Sequence, residues 1–310
     1  VTSFVTVIIP ALNEELHIGN CLKALQNQTY PKDKYEVIVV DNGSEDNTVD
    51  EIQKYGVTLL YESQPSAYCA RNRAIINSSS DLIAFIDADC IAEPQWLENF
   101  VIALEKSDAL IAGGMIIYDV LKNTFANRLL VERNQPEQRR IFVCQHYAVA
   151  GGNMIVRRSA FNQYGLFKSA AYSSDIEFSQ RLAQVGIYPL FVDNAIVHHQ
   201  CDLSNWDYLW RSYHTKKSQV LHNRQSQNWG SFIRALGKIP WQPGLRFFRQ
   251  SSSTRLLIIH WAEWSYRWLE RWFAYAGHVE GHWVAVVHQP RGFEGYSPPS
   301  SSSDEISNDS

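Results

Sequence analysis

The feature that most constrains this chain is a rhythm in its first third. Four short apolar runs, FVTVIIP (4–10), YEVIVV (35–40), VTLLYE (57–62) and LIAFI (82–86), alternate with segments that carry helical signals. In the first such segment Ile18, Leu22 and Leu25 share one face, Asn13 can cap it, and Glu14 and Glu15 suit a helix N-terminus. Further helices are expected near 49–55, with Asp46 or Asn47 as cap, and over 67–77 and 94–104. Continuous apolar strands alternating with helices predict an α/β fold with a mainly parallel sheet covered by helices. Ligands of such sheets bind beyond the carboxyl ends of the strands. At that edge stand PALNEE after the first run, Asp41 after the second, and Asp87 and Asp89 after the fourth.

Those two aspartates need a counter-charge. If the chain stays extended through FIDADC, residues 87 and 89 point to the same side. Two carboxylates about 4 Å apart repel by roughly 4 kcal/mol at an effective dielectric near 20. Either one holds a proton or a cation sits between them. A hard cation, Mn2+ or Mg2+, takes carboxylate and phosphate oxygens, and no Cys/His cluster nearby in the sequence suggests zinc. The plainer reading is that one aspartate caps the next helix and the other is solvated.

Bulk properties set the outer limits. The 310 residues carry a net charge of −4, which gives no overall signal for nucleic acid. There is no run of eighteen apolar residues and no leader pattern, so a cytoplasmic location is expected. Cys21, Cys69, Cys90, Cys144 and Cys201 form no CxxC pair and read as reduced thiols. From Trp206 to Arg255 nine Lys or Arg face one acid, a local charge of +8, and nine of the ten tryptophans lie beyond residue 205. A boundary is therefore expected near Cys201. The tail, 297–310, is rich in Ser, Pro and acid and is expected to be disordered.

Five segments in order resemble family 2 glycosyltransferases with a GT-A fold, a Rossmann-like nucleotide-binding sheet. They are VIIPALNEE, the stretch from YEVIVVDNGSEDNT, ARNRAI, FIDADC, and GGNMIVRRSAFNQYGLF followed by SSDIEFSQRL. The resemblance covers roughly residues 4–200. It implies a metal-dependent, inverting transfer of a sugar from a nucleotide diphosphate donor, a UDP-sugar, to a hydroxyl acceptor such as a glycan or lipid-linked glycan. The alternative is a catalytically silent nucleotide-sugar or glycan binding module. A nucleotide-sugar pyrophosphorylase is disfavoured, because PALNEE stands where a Gly-rich, Arg-bearing loop is needed. By resemblance, Pro10, Leu12 and Glu14 pack around the nucleoside, Asp41 reads base or ribose, and Arg71 approaches the diphosphate. Asp87, Ala88 and Asp89 form the D-x-D, with Asp89 the more direct metal ligand. Gly152 and Asn153 form the donor and acceptor wall, and Asp175 is the general base. The implied division is a nucleotide-sugar half over 1–105, an acceptor and base half over 106–200, and a mostly helical, basic, Trp-rich extension over 201–296.

Two positions depart from the pattern or leave it open. Relatives often carry Glu-Asp where this chain has Ser174-Asp175. Ser173 or Ser174 can cap the following helix, and Glu177 is the fallback base. Some relatives place a third metal ligand after the strand LFVDNAIV. Since neighbouring side chains alternate, only one of His198 and His199 can face the crevice, and His198 is the preferred one. Gly113 and Gly114 suit a turn or a close backbone approach.

In the extension, Leu257, Trp261, Trp264, Trp268, Trp272 and Tyr275 fall on one helical face, with Glu263, Arg267 and Glu270 largely opposite and Gly277 as a stop. Three readings of the stripe stay open: packing on the catalytic domain, an anionic membrane surface met peripherally, or the face of a homodimer. The adjoining positive segment favours an anionic partner, and no recognition motif points to nucleic acid.

Overall fold

The computed structural model describes residues 3–133, 147–169, 174–222 and 254–287, with positions 233 and 236. Cys144, Ser173, the tail and most of the basic segment lie outside the described residues. So do the side chains of Leu257, Trp261, Glu263, Trp264 and Arg267.

The strands are β1 (Val5–Ala11), β2 (Tyr35–Asp41), β3 (Thr58–Tyr61), β4 (Leu82–Ile86), β5 (Cys90–Ala92), β6 (Ile111–Val120), β7 (Asn153–Arg157) and β8 (Leu190–Cys201). Among the described residues they form one sheet in the order β3-β2-β1-β4-β7-β6-β8-β5. The pairs β1/β2, β1/β4, β2/β3 and β6/β8 are parallel, and β4/β7, β6/β7 and β5/β8 are antiparallel. Only β5 and β7 therefore oppose the common direction. β1 and β4 are continuous apolar runs because helices cover both their faces: Val5, Val7 and Ile9 belong to one core cluster and Ile8, Ile83 and Phe85 to the other.

The helices are α1 (Ile18–Gln26), α2 (Thr48–Gln53), α3 (Ala67–Ile76), α4 (Trp96–Glu105), α5 (Phe125–Arg133), α6 (Arg158–Tyr164), α7 (Ser174–Ala183), α8 (Asn205–His222) and α9 (Thr254–Val287). α1 starts four residues later than Glu14, and Asn13 does not cap it. Asn13 sits in a left-handed conformation, φ 56°, and its side chain accepts from Glu45 N–H. Ser66 caps α3 by accepting from Tyr68 N–H. Gly113 and Gly114 lie inside β6, not in a turn. A Cβ at Gly113 would fall 2.0 Å from Val149, and one at Gly114 2.2 Å from the Ala195 carbonyl, so both are sites of close approach.

The C-terminal helices α8 and α9 pack along each other and share a third apolar cluster with α5, built on Leu129, Cys201, Tyr208, Leu209 and Tyr266. The contact face of α9 runs through Tyr266, Glu270, Gly277 and Gly281. Tyr266 donates to Asn205 O at 2.8 Å, and Glu270 accepts from Ser212 at 3.0 Å. Gly277 is thus no stop: α9 continues to Val287, and a Cβ at 277 would lie 2.0 Å from Tyr213 O. Of the polar residues opposite the tryptophan stripe, Glu270 is packed against α8 and only 6% exposed. Trp268 on the other side is exposed, as are Trp206 and Trp210 of α8. No described helix is long and apolar enough to cross a membrane.

Candidate active site

A cavity of about 360 Å3 opens at the carboxyl edge of the sheet. Pro10, Leu12 and Glu14 line it from β1 and the loop beyond, Asp87, Ala88 and Asp89 from the end of β4, and Gly152 from the start of β7. Arg71 of α3, Asp175 of α7 and His199 of β8 close it. All were expected from sequence except His199. Asn42, Tyr68, Tyr118 and Arg211 also line it, and no motif singled them out.

The two aspartates are not extended neighbours. Cys90 N–H donates to Asp87 O at 3.1 Å, so residues 87–90 form a turn that sends the carboxylates to different partners. Asp87 Oδ1 accepts from Nη2 of Arg71, a guanidinium with 5% side-chain exposure stacked 5.1 Å over the Tyr68 ring. A Cβ at Gly152 would lie 2.4 Å from Asp87 Oδ2, so only glycine allows this approach. Asp89 Oδ2 lies 3.4 Å from His199 Nε2. Burial holds the Asp89 carboxyl above the usual range; His199 opposes that rise and Asp87 adds to it. Glu14 faces the same negative field. Burial first, then Asp89 and Asp87, push it up to about 8, and it shares a 3.0 Å contact with His17 Nδ1.

The structure places His199, not the preferred His198, beside Asp89. In the antiparallel pairing of β5 with β8, Cys90 faces His199 and Ile91 faces His198. Alternation then turns His198 away from Asp89, with Nδ1 3.1 Å from Asp119 and Nε2 3.4 Å from Glu93. The same pairing gathers ligand atoms of Asp89, Cys90 and His199 within 4.8 Å of one another, a Cys/His grouping invisible in the linear sequence. Burial holds the Cys90 thiol well above its ordinary range, and the thiol donates weakly to Asp89 Oδ1 at 3.6 Å. Asp89 and His199 offer an oxygen and an imidazole nitrogen, a donor pair that suits a cation such as Mn2+.

Three further expectations meet different geometry. Asp41 does not line the cavity: its carboxylate accepts from Gly43 and Ser44 N–H at 3.1 and 3.3 Å, and Asn42 takes the lining position. Asn153 points inward. Its amide donates to Met115 O and Ala195 O at 2.7 and 2.9 Å and accepts from Trp96 Nε1 at 2.8 Å, tying β6, β7, β8 and α4 together. Glu177 pairs with Lys168 and Arg181 at 2.7 and 3.2 Å, which leaves Asp175 as the carboxylate of α7 in the cavity. Ser174 is no cap; it lies within α7 with its Oγ buried and unpaired among the described residues.

Asp175 is held from three directions. Oδ1 accepts from Tyr68 Oη at 2.8 Å and from Ile176 N–H at 2.9 Å, and Oδ2 accepts from Gly151 N–H at 2.7 Å.

Residues 6–165 match the Glycosyl transferase family 2 profile. The chain is 33% identical over 204 residues to Glycosyltransferase AglE of Haloferax volcanii, covering 63% of this chain and 66% of that one. It is 28% identical over 232 residues to Probable glycosyltransferase YdaM of Bacillus subtilis, covering 67% of this chain and 53% of that one. It thus spans roughly half to two thirds of these relatives. Among solved structures, the mannosyltransferase PcManGT from Pyrobaculum calidifontis, in complex with GDP-Man and Mn2+, superposes with a TM-score of 0.56 at 18% identity, over 92% of this chain and 74% of that one. The UDP complex of S. aureus TarS 1–349 superposes at 0.50 and 16% identity, over 91% and 90%. These two likenesses concern the fold, a GT-A-like sheet with a largely helical C-terminal region.

Proposed function

The chain belongs to glycosyl transferase family 2, and on that premise we propose that it is a metal-dependent, inverting glycosyltransferase. It moves a sugar from a nucleoside diphosphate donor, a UDP-sugar in our reading, to a hydroxyl acceptor. The observation that carries the proposal is one cavity shared by the Asp87–Asp89 turn with His199 on one side and by Asp175 on the other.

Asp89 and His199, with Asp87, would hold the cation. The imidazole favours Mn2+ over Mg2+, which prefers oxygen. When bound, the cation supplies Lewis-acid stabilisation of the diphosphate leaving group. The crowding of Glu14, Asp87 and Asp89 around one cavity, with burial and mutual repulsion raising Glu14 and Asp89, is the chemistry a divalent charge would relieve. Pro10, Leu12 and Asn42 flank the nucleoside. Asp175 takes the acceptor's proton as the acceptor oxygen bonds to the anomeric carbon and the bond to the diphosphate oxygen breaks. One base and no covalent intermediate invert the anomeric centre, which suits a single cavity carboxylate on α7. The working division is a donor half over 1–105, an acceptor half over 106–200 and the helical extension.

The helical extension is further proposed to meet an anionic membrane surface peripherally on the cytoplasmic side. Exposed Trp206, Trp210 and Trp268 together with the positive segment 206–255 support that reading. Hydrolysis and transfer screens over UDP- and GDP-sugars, with and without Mn2+, test the proposed activity. Release of nucleoside diphosphate only with metal supports it, and no turnover of any donor with tight UDP binding would favour a silent binding module.

A further inference from the structure

Beside Asp175, Ser174 Oγ is buried and unpaired among the described residues, so no hydrogen bond from that hydroxyl to the Asp175 carboxylate is seen there. We infer that Tyr68, 107 residues earlier on α3, is the positioning residue for Asp175, clamping Oδ1 so that Oδ2 is the atom that takes the acceptor's proton. The inference rests on the reading of Asp175 as general base.

The geometry supplies each part. A carboxylate offers about four lone-pair directions. On Asp175, Tyr68 Oη and Ile176 N–H occupy the two of Oδ1, and Gly151 N–H occupies one of Oδ2. Among the described residues one direction remains, on Oδ2, and Asp175 lines the cavity. The Tyr68 ring is 7% exposed and packs with Phe167 at 5.9 Å, so its hydroxyl is delivered from a fixed frame. Burial and the adjacent Asp175 raise the phenol well above its ordinary range, so it stays a donor wherever the enzyme works. Tyr68 and Arg71 lie three apart on α3, on one face, and Arg71 stacks on the Tyr68 ring while holding Asp87. One helix therefore fixes the base through a hydroxyl and the donor-side aspartate through a guanidinium.

Tyr68→Phe removes the hydroxyl and keeps the ring, its packing and its stacking on Arg71. With Asp175→Asn alongside, steady-state transfer is measured against donor and Mn2+ concentration. A hydrogen bond to a charged group is worth enough that kcat should fall at least about tenfold in Y68F, while donor KM and the Mn2+ requirement stay near wild type and the melting temperature falls by no more than about 5 °C. In crystals of Y68F the Asp175 side chain should leave its single orientation. Wild-type kcat in Y68F with D175N silent overturns the positioning role alone. A kcat loss accompanied by lost nucleotide binding and a melting temperature lowered by more than about 5 °C makes Tyr68 merely structural and also overturns it. Wild-type activity in D175N overturns the base reading and takes this inference with it.

Discussion

His199 Nε2 lies 3.4 Å from Asp89 Oδ2, while the ring of His198, one residue earlier, spans Asp119 and Glu93 on the other side of the strand. Two adjacent imidazoles are thus separated by the alternation of β8, and only one shares the cavity with the D-x-D turn.

His199→Ala should therefore raise the Mn2+ concentration needed for half-maximal turnover by about tenfold or more, as the loss of one metal contact does. His198→Ala should leave it within about twofold. Titration of both variants with Mn2+ checks the pair. Equal effects would mean that the register of β5 against β8 does not select the ligand.

Glu14 gives a pH signature. Its carboxyl is raised to about 8 from an ordinary value of 4.5, so between these limits the folded protein binds more protons than the unfolded chain. Its contribution to stability is then lost as pH rises through that window. Melting temperature of the metal-free protein should fall from about pH 5 to pH 8, and Glu14→Gln should flatten part of that slope. Added Mn2+ should raise the melting temperature most at the high-pH end, where the carboxylates are charged. An unchanged slope in E14Q would show that Glu14 is not the titrating group.

Legibility in the sequence followed the distance between cause and effect. The alternation of β1 to β4 with helices was readable because an apolar run and its covering helix are neighbours in the chain. The crevice at their carboxyl ends followed from topology. The assignments that changed depend on pairings formed only in space. His199 over His198 depends on the β5–β8 register. The inward turn of Asn153 depends on Trp96, Met115 and Ala195, and the Tyr68 contact spans 107 residues. Gly277 looked like a helix stop because a closely packed glycine and a terminating one carry the same letter. Tyr213 decides between them.

Asn153→Ala should destabilise the fold by about 2–4 kcal/mol, because Trp96 Nε1 and two carbonyls lose buried partners at once. Urea unfolding measures this. In the cold, where the variant remains folded, its nucleotide affinity should be close to wild type.

Gly277→Ala should cost about 1–3 kcal/mol by forcing α9 away from α8, since the added Cβ would meet Tyr213 O at 2.0 Å. Gly43→Ala provides a contrast: nothing lies within 4 Å, and its cost comes from its φ of +91° alone. Thermal melts should show the loss in G277A accompanied by reduced packing of the helical extension, read as faster proteolysis of that region.

Flotation with anionic and neutral vesicles tests the membrane reading. Wild type should float with anionic vesicles at low salt, and the triple variant W206A/W210A/W268A should not. Wild type remaining soluble in both would remove the membrane proposal without touching the active site.

The most direct test of the account is turnover by Asp175→Asn beside its Mn2+-dependent nucleotide binding. A positioned base contributes about 10²–10⁴-fold, so transfer should fall by at least about 100-fold while binding of Mn2+ and nucleotide persists. Transfer at the wild-type rate in D175N would contradict the account, since the other nearby carboxylate of α7, Glu177, is paired with Lys168 and Arg181.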